Sequence, residues 1–562
     1  MTIRTVRNLR RISQVVFFLI FFWLILETTF EADFSPSETS AIELPYPVSI
    51  ALQFDPLVSV STLLANGTLY KGLLWSLVIL IPTIFLGRFF CGWICPMGTL
   101  NHWASEIRSE RRSRKGGRKI ESNRYKKYQR IKYYILFFFL GAAVVGVLQV
   151  GLLDPLSLLA RSIGTVVLPA IHTGALGLLT WVQSWGLPVV GDVAKFLYDI
   201  VDVLLLPFRP GFFHALITIG VVFIIVLALN RVFTRFWCRG ICPLGALLGV
   251  FSRFAIFGLE KQQGECDQCN LCLLYCQGAD NPDVGSKWRQ AECHVCLNCQ
   301  ATCPKGSLKF KFFPEQENTK ENPAPTQKVD VTRRKVLASL AGGVLAYPLF
   351  RSGDAFAVNS NPKVIRPPGS VRESDFLSRC IRCGQCMRVC PNNALHPTLL
   401  EAGFEGLWSP IVIPRIGYCE PTCTFCTQVC PTGAIQELTV EQKVGGKETE
   451  PNRIGTAFLD RGRCLPWAMA TPCIVCEEWC PTSPKAVYLR EETAIDREGN
   501  EISVKRPYVD PAICTGCGAC EYACPVADRA AIYVTAVGES RSPENQILLE
   551  RRKRRDEIES GV

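Results

Sequence analysis

Of the 28 cysteines in this 562-residue chain, 24 fall into six quartets with the spacing of cluster ligands. Cys266-x2-Cys269-x2-Cys272-x3-Cys276 and Cys293-x2-Cys296-x2-Cys299-x3-Cys303-Pro304 follow the bacterial two-cluster pattern. There, three cysteines on a tight loop hold three corners of one cubane and the fourth reaches across to the other. The pattern assigns Cys266, Cys269, Cys272 and Cys303 to one 4Fe-4S centre, and Cys293, Cys296, Cys299 and Cys276 to a second. Zinc is the competing occupant, but zinc sites favour two separated pairs over a triple plus one. Cys276 departs from the pattern in being followed by Gln277 rather than Pro, and His294 reads as a solvent-facing spacer inside its loop. Four more quartets follow: Cys380, Cys383, Cys386, Cys390; Cys419, Cys423, Cys426, Cys430; Cys464, Cys473, Cys476, Cys480; and Cys514, Cys517, Cys520, Cys524. Each ends in Cys-Pro. The expectation is six cubanes, with Cys464 the one ligand that an eight-residue insertion through Trp467 leaves in doubt.

The four cysteines outside the quartets belong to an internal repeat. Arg88-Phe89-Phe90-Cys91-x3-Cys95-Pro96-Met97-Gly98-x-Leu100 recurs as Arg235-Phe236-Trp237-Cys238-x3-Cys242-Pro243-Leu244-Gly245-x-Leu247, and each copy is preceded by Asp-Pro-Leu, at Asp55 and Asp154. Residues four apart share a helix face, so each pair presents two thiols in one direction. Together they offer a place for a metal or for redox-active disulfides. The alternative is that cysteine serves here as a small apolar residue for close packing.

Composition places these sites at a membrane. The chain is 48% hydrophobic, concentrated in the first 250 residues, and its net charge of +11 sits in loops flanking apolar runs, which argues against nucleic acid. Arg4, Arg7, Arg10 and Arg11 precede the run Val15 to Leu26, and twelve Lys or Arg against two Glu fill Arg108 to Lys132. By the positive-inside rule both mark the cytoplasmic side. With spans at Gly72 to Gly87, Tyr133 to Leu153 and Phe212 to Leu229, residues 1–257 read as an α-helical membrane domain of four transmembrane helices with both Cys-x3-Cys-Pro motifs at the cytoplasmic ends. Ser162 to Gly191, rich in Gly, Pro and Trp, reads as interfacial or re-entrant. A two-cluster domain (258–310) and a linker (311–331) follow. Residues 332–357 hold a twin arginine (Arg333, Arg334), a short apolar run and a small-x-small site at Ala355-Phe356-Ala357, which together read as an internal export signal. A plain surface helix with a basic start is the competing reading. Residues 358–538 form a four-cluster domain, with β-type stretches at Ala486 to Leu489 and Ala531 to Val534, and 539–562 a charged tail. The fold class is thus a four-helix membrane domain plus α+β ferredoxin-like polycluster domains. Residues 258–331 are expected in the cytoplasm and 358–562 in the periplasm of a bacterial inner membrane.

The doubled Cys-x3-Cys-Pro half with its two-cluster domain resembles NapH, a membrane quinol dehydrogenase subunit. Arg333-Arg334, Ile365-Arg366-Pro367-Pro368-Gly369 and Phe376-x3-Cys380-Ile381-Arg382-Cys383-Gly384 resemble the NapG and MauM ferredoxin-type proteins. The resemblance implies a fusion of two subunits that carries electrons from the quinone pool to a periplasmic redox enzyme or cytochrome. It also implies pairing of the last four quartets first with fourth and second with third, which would move Cys390 to the fourth centre, Cys524 to the first, and exchange Cys430 and Cys480. No haem or dinucleotide motif competes. The rival function is an assembly or regulatory iron–sulfur protein for a respiratory oxidase or reductase. Quinol oxidation needs a proton acceptor, and Asp55, Asp154, His172 and His214 are the candidates; Asp before Pro also caps helices, and a lone His is often merely hydrogen-bonded.

Overall fold

A computed structural model describes residues 3–28, 44, 46–68, 70–106, 116–184, 195–196, 213–231, 233–262, 266–314, 329–351, 363–446, 449–495, 498–542 and 545. In the first half α1 (Ile3–Glu27) is followed by α2 (Pro56–Asn66), α3 (Leu77–Leu86), α4 (Phe89–Trp93), α5 (Pro96–Glu106) and α6 (Ile131–Val144). The repeat then returns as α7 (Pro155–Ser162), α8 (Leu168–Gln183), α9 (Leu216–Leu229), α10 (Phe236–Gly240) and α11 (Pro243–Ser252). The repeated Asp-Pro explains two of these starts. Asp55 accepts the backbone N–H groups of Leu57 and Val58, Asp154 accepts that of Ser157, and the proline after each supplies a first-turn residue with no N–H to satisfy.

Two helices among the described residues are long and apolar enough to cross a membrane, Thr5–Glu27 and Pro155–Val182, not the four expected. The expected span Tyr133 to Leu153 stops as a helix at Val144, because Gly146 takes φ +83° and ends it. Gly72 to Gly87 is a 3-10 turn plus α3, and the span expected from Phe212 is α9, 14 residues from Leu216. The segment read as re-entrant is the other correction. Residues 155–183 run as helix, and the π-helical turn at Ile163–Val167 directly before Pro169 is the irregularity at which the run accommodates its missing N–H. Trp185, Pro188 and Gly191 lie outside the described residues. Many large apolar side chains stay exposed, among them Ile12, Leu19 and Trp23 on α1, Val78 and Ile81 on α3, and Ile217 and Ile224 on α9. An apolar surface of this kind calls for an apolar solvent or partner.

The segment read as an export signal is a helix built into this half. α12 (Arg333–Leu345) lies along α6, and α13 (Tyr347–Phe350) follows it with the Phe350 ring 6.5 Å from that of Phe138. Glycine permits the contact: a Cβ on Gly141 would come within 2.2 Å of the Leu340 carbonyl oxygen, and one on Gly343 within 2.0 Å of that of Phe138. The pair is anchored at both ends. Asp330 bridges Arg130 and Arg289 at 2.7 and 3.2 Å before α12, and Arg351 pairs with buried Glu405 at 3.1 Å after α13. The expected linker therefore docks at its end, where Val329 and Val331 also pack on the core; residues 315–328, the expected cleavage point after Ala357 and the basic tail at 551–555 lie outside the described residues.

Among the described residues the cysteine-bearing regions use single helical turns and four separate two-stranded antiparallel ribbons. β1 (Phe257–Lys261) pairs with β2 (Leu308–Phe312) around the first two quartets, and β3 (Leu395–Pro397) with β4 (Pro410–Val412). β5 (Thr456–Leu459) pairs with β8 (Ile532–Thr535), tying the strand before the third quartet to the strand after the fourth. Between them β6 (Val487–Ile495) and β7 (Glu501–Val509) form a hairpin.

Candidate functional site

The regular Cys-x2-Cys-x2-Cys loops share one backbone shape. The second and fourth residues after the first cysteine take positive φ in all four: Gln268 and Asn270, Val295 and Leu297, Arg382 and Gly384, Gly516 and Gly518. A β-branched residue such as Val295 pays for that conformation, and such strain persists where function demands it. The turns wrap the chain so that three thiols converge on one volume. The Cys266 loop lines a cavity of about 350 Å³ together with Cys269, Cys272 and Cys303.

Neighbouring thiolates identify the remaining groupings. Burial pushes these thiols up, Cys383, Cys423 and Cys517 to about 12, and adjacent cysteines push them further. Cys380, Cys383 and Cys386 each feel Cys430, whereas Cys423 and Cys426 feel Cys390 and Cys419. Cys476 feels Cys464, Cys473 and Cys524, and Cys514, Cys517 and Cys520 each feel Cys480. In the first pair Cys276 feels Cys296, and Cys293 and Cys299 feel it too. Cys430 lies with the first of the later quartets and Cys390 with the second, Cys524 with the third and Cys480 with the fourth, an arrangement that departs from the pairing implied by the resemblance, and Cys464 lies beside Cys476. Among the described residues no three His, Cys, Asp or Glu side chains converge tightly enough for one metal ion. A cubane holds its thiolates at separate corners, so the donor sets fit a cluster, and coordination would ionise thiols that burial keeps neutral.

The four later sites form a row. The Cys380 site lies against the helices, since a Cβ on Gly151 would meet the Ile381 carbonyl oxygen at 2.0 Å and Arg161 donates to the Arg382 carbonyl at 2.6 Å. Cys426 places the Cys419 site next, beside Cys386. The Cys419 N–H donates to the Cys517 carbonyl at 2.8 Å, which brings in the Cys514 site, and Cys476 beside Cys520 brings in the Cys464 site last. Lys443, buried, donates to the Cys423 carbonyl at 2.6 Å and supplies positive charge next to the Cys419 site.

The two groups of sites dock at opposite ends of the same helices. Near the start of α1 Arg10 donates to Gln277 at 3.0 Å, while near its end the Ile25 carbonyl accepts from Arg388 of the Cys380 site at 2.8 Å. Fifteen residues of helix separate those contacts, roughly 22 Å. α6 repeats the arrangement, with Lys132 and Tyr133 on Glu292 at one end and Arg382 donating to the Leu148 carbonyl beyond the other. Fully buried arginines (Arg10, Arg88, Arg161, Arg235, Arg239, Arg382, Arg388) make most of these joints. In the sequence Arg10 marks the cytoplasmic side, Arg88 and Arg235 recur at one place in the repeat and Arg382 falls in the resemblance motif, but nothing there signals their burial. His294 is also corrected. It is buried rather than solvent-facing, its Nδ1 lies 3.3 Å from Arg235, and its carbonyl oxygen sits against Gly92.

Of the proton-acceptor candidates the structure brings two together. Asp55 and Asp154 are fully buried neighbours, and each keeps one carboxyl oxygen without a hydrogen-bond partner. Burial first, and then the charge of Asp154, pushes the Asp55 carboxyl up. His172 is buried with Nδ1 unpartnered, and His214, 3.7 Å from Glu401, is half exposed.

Models of a 4Fe-4S binding domain match residues 68–115, 213–259 and 424–445, residues 376–396, and residues 505–526. The chain is 36% identical to the methylamine utilization ferredoxin-type protein MauM of Methylorubrum extorquens over 32% of its own length and 75% of that protein. It is 32% identical to the ferredoxin-type protein NapG of Escherichia coli over 36% of its length and 84% of that protein. A MauM of Paracoccus denitrificans is 32% identical over 37% of the chain and 89% of the relative. No solved structure matches.

Proposed function

The chain belongs to the family of the ferredoxin-type proteins NapG and MauM, iron–sulfur electron carriers, and from that premise we propose a quinol dehydrogenase component that spans the bacterial inner membrane and delivers single electrons to a periplasmic oxidoreductase. The observation that carries this reading is the docking of two groups of cysteine sites at opposite ends of α1 and α6, with exposed apolar side chains on the helices between. In this reading residues 1–257 are the NapH-like membrane domain, α12 and α13 carry the chain across, residues 258–310 face the cytoplasm, and the ferredoxin-like domain 358–538 faces the periplasm.

Each bound cubane supplies one-electron transfer. The protein's own residues do the rest. The Cys266 and Cys293 quartets hold two clusters, and the four later quartets hold four more in a row that leads away from the helices. A quinol releases two protons with its two electrons. The Asp55–Asp154 pair, close to the Arg161 that ties the Cys380 loop down, is the acceptor this reading favours over His172 and His214.

The test is anaerobic addition of a short-chain naphthoquinol to membranes holding the full chain. The reading expects the iron–sulfur absorbance to bleach on quinol addition and to recover when periplasmic extract is added. Asp154→Asn should slow the quinol-driven step at least about tenfold, as loss of a general base does, while dithionite still bleaches fully. Bleaching by dithionite but never by quinol would sink the reading and favour an assembly protein.

A further inference from the structure

We infer that Cys91, Cys95, Cys238 and Cys242 together hold a seventh iron–sulfur cluster, shared between the two halves of the internal repeat. All four are buried and unpaired as disulfides. Arg88 of the first half lies against the Cys242 loop, where a Cβ on Gly245 would meet Arg88 Nη2 at 2.7 Å and Cys242 Sγ at 3.5 Å, and Arg235 of the second half reaches the Cys91 loop, so the repeat brings the four thiols to one region. Each half contributes the same short fold. Cys91 sits on α4 and Cys238 on α10, while Cys95 and Cys242 precede the prolines that start α5 and α11. The Gly98 N–H donates to Cys95 Sγ at 3.4 Å and the Gly245 N–H to Cys242 Sγ at 3.2 Å.

The charge around the thiols calls for an anion. Arg88 and Arg235 are fully buried, Arg88 Nη2 lies 4.0 Å from Cys91 Sγ, and Arg235 Nη1 donates to the Cys91 carbonyl at 3.2 Å. Arg88 Nε, Arg235 Nε and Arg235 Nη2 have no hydrogen-bond partner. Glu292 is shared between Arg88 and Lys132, which leaves the positive charge of Arg235 and that of one of the other two uncompensated beside the four cysteines. An oxidised cubane on four thiolates is a dianion and balances them. A single zinc ion is disfavoured, because no three donors converge at single-ion distance, the same spread that the six quartets show.

Position supports the assignment. The segments that match a 4Fe-4S binding domain at 68–115 and 213–259 carry only two of these cysteines each, so neither completes a cubane alone. Gly92 lies between Cys91 and Cys95, and a Cβ there would meet the His294 carbonyl oxygen at 2.3 Å. Glycine at that point lets the Cys293 loop seat directly on the four-thiol site, and Arg235 bridges the two. The inference stands whether or not quinol is the electron donor.

The experiment is iron, zinc and acid-labile sulfide analysis of the full-length protein purified anaerobically, with Mössbauer spectra of a 57Fe-enriched sample. Seven cubanes require about 28 iron atoms per chain, against about 24 for six. Cys91→Ser and Cys242→Ser should each lose about four of them, with the low-temperature EPR signals of the other sites retained. A wild-type content of about 24 iron atoms, or one zinc per chain, would overturn the assignment, as would single variants with unchanged iron. If both variants lose all iron through misfolding, the wild-type count and its Mössbauer spectrum decide.

Discussion

Glu373 shows how individual residues hold the later sites together. Its carboxylate is held down to about 2: burial opposes ionisation, but Arg366 and then Arg541 outweigh it. Arg541 thereby ties residues beyond the last quartet to the helix that leads into Cys380. Because the folded pKa lies below the ordinary value of 4.5, this carboxylate stabilises the fold above pH 4.5, and the contribution is lost as pH falls from there towards 2. Glu373→Gln should lower stability by about 2 kcal/mol at pH 7, discounted for partial solvent access, and flatten that acid limb in denaturant titrations; an unchanged acid limb would remove the role. The fourth-cysteine exchange is testable at the same scale. The EPR signature altered by Cys390→Ser should be the one altered by Cys423→Ser, and coincidence with Cys520→Ser would restore the first-with-fourth pairing. Spacing made the ligand sets legible in the sequence, but not the exchange, which depends on how the loops lie in space. The buried arginines and His294 were illegible for a different reason: a charged residue's partners, here mostly backbone carbonyls far away in sequence, leave no local trace.

Among the elements, the contact between α6 and α12 carries the most consequence, because it turns a leader-like stretch into part of the framework. Gly342 and Gly343 are adjacent, yet a Cβ on Gly343 meets the Phe138 carbonyl at 2.0 Å, and one on Gly342 finds nothing nearer than 3.9 Å. Gly343→Leu should therefore force the helices apart, at a cost of about 1–3 kcal/mol or more, and reduce the amount of assembled protein in membranes. Gly342→Leu should be tolerated, and equal behaviour of the two variants would mean that the helices do not pack this way. A helix so held is expected to remain in the mature chain, so membranes should contain the 62.6 kDa polypeptide. The repeat and its capping aspartates could be read from residue order alone. Helix lengths could not, since the end of α6 depends on the backbone sign at Gly146, and Pro169 reads as a helix breaker until the π-helical turn before it is known.

For the molecule as a whole, the account rests on sidedness. In the proposed reading, cysteine sites at both ends of one helical body serve an electron carrier that works across a bilayer, with the basic loops and the twin arginine expected on the cytoplasmic side. Arg333→Lys with Arg334→Lys should strand the later four sites on the cytoplasmic side, where their clusters are inserted. The most direct measurement uses the wild-type chain, tagged at its C-terminus, with protease added to sphaeroplasts and, separately, to inside-out vesicles. The account predicts cutting within residues 363–542 only in sphaeroplasts and within residues 258–310 only in inside-out vesicles. Protection of the later sites in sphaeroplasts, or cutting of both groups from one side, would contradict it.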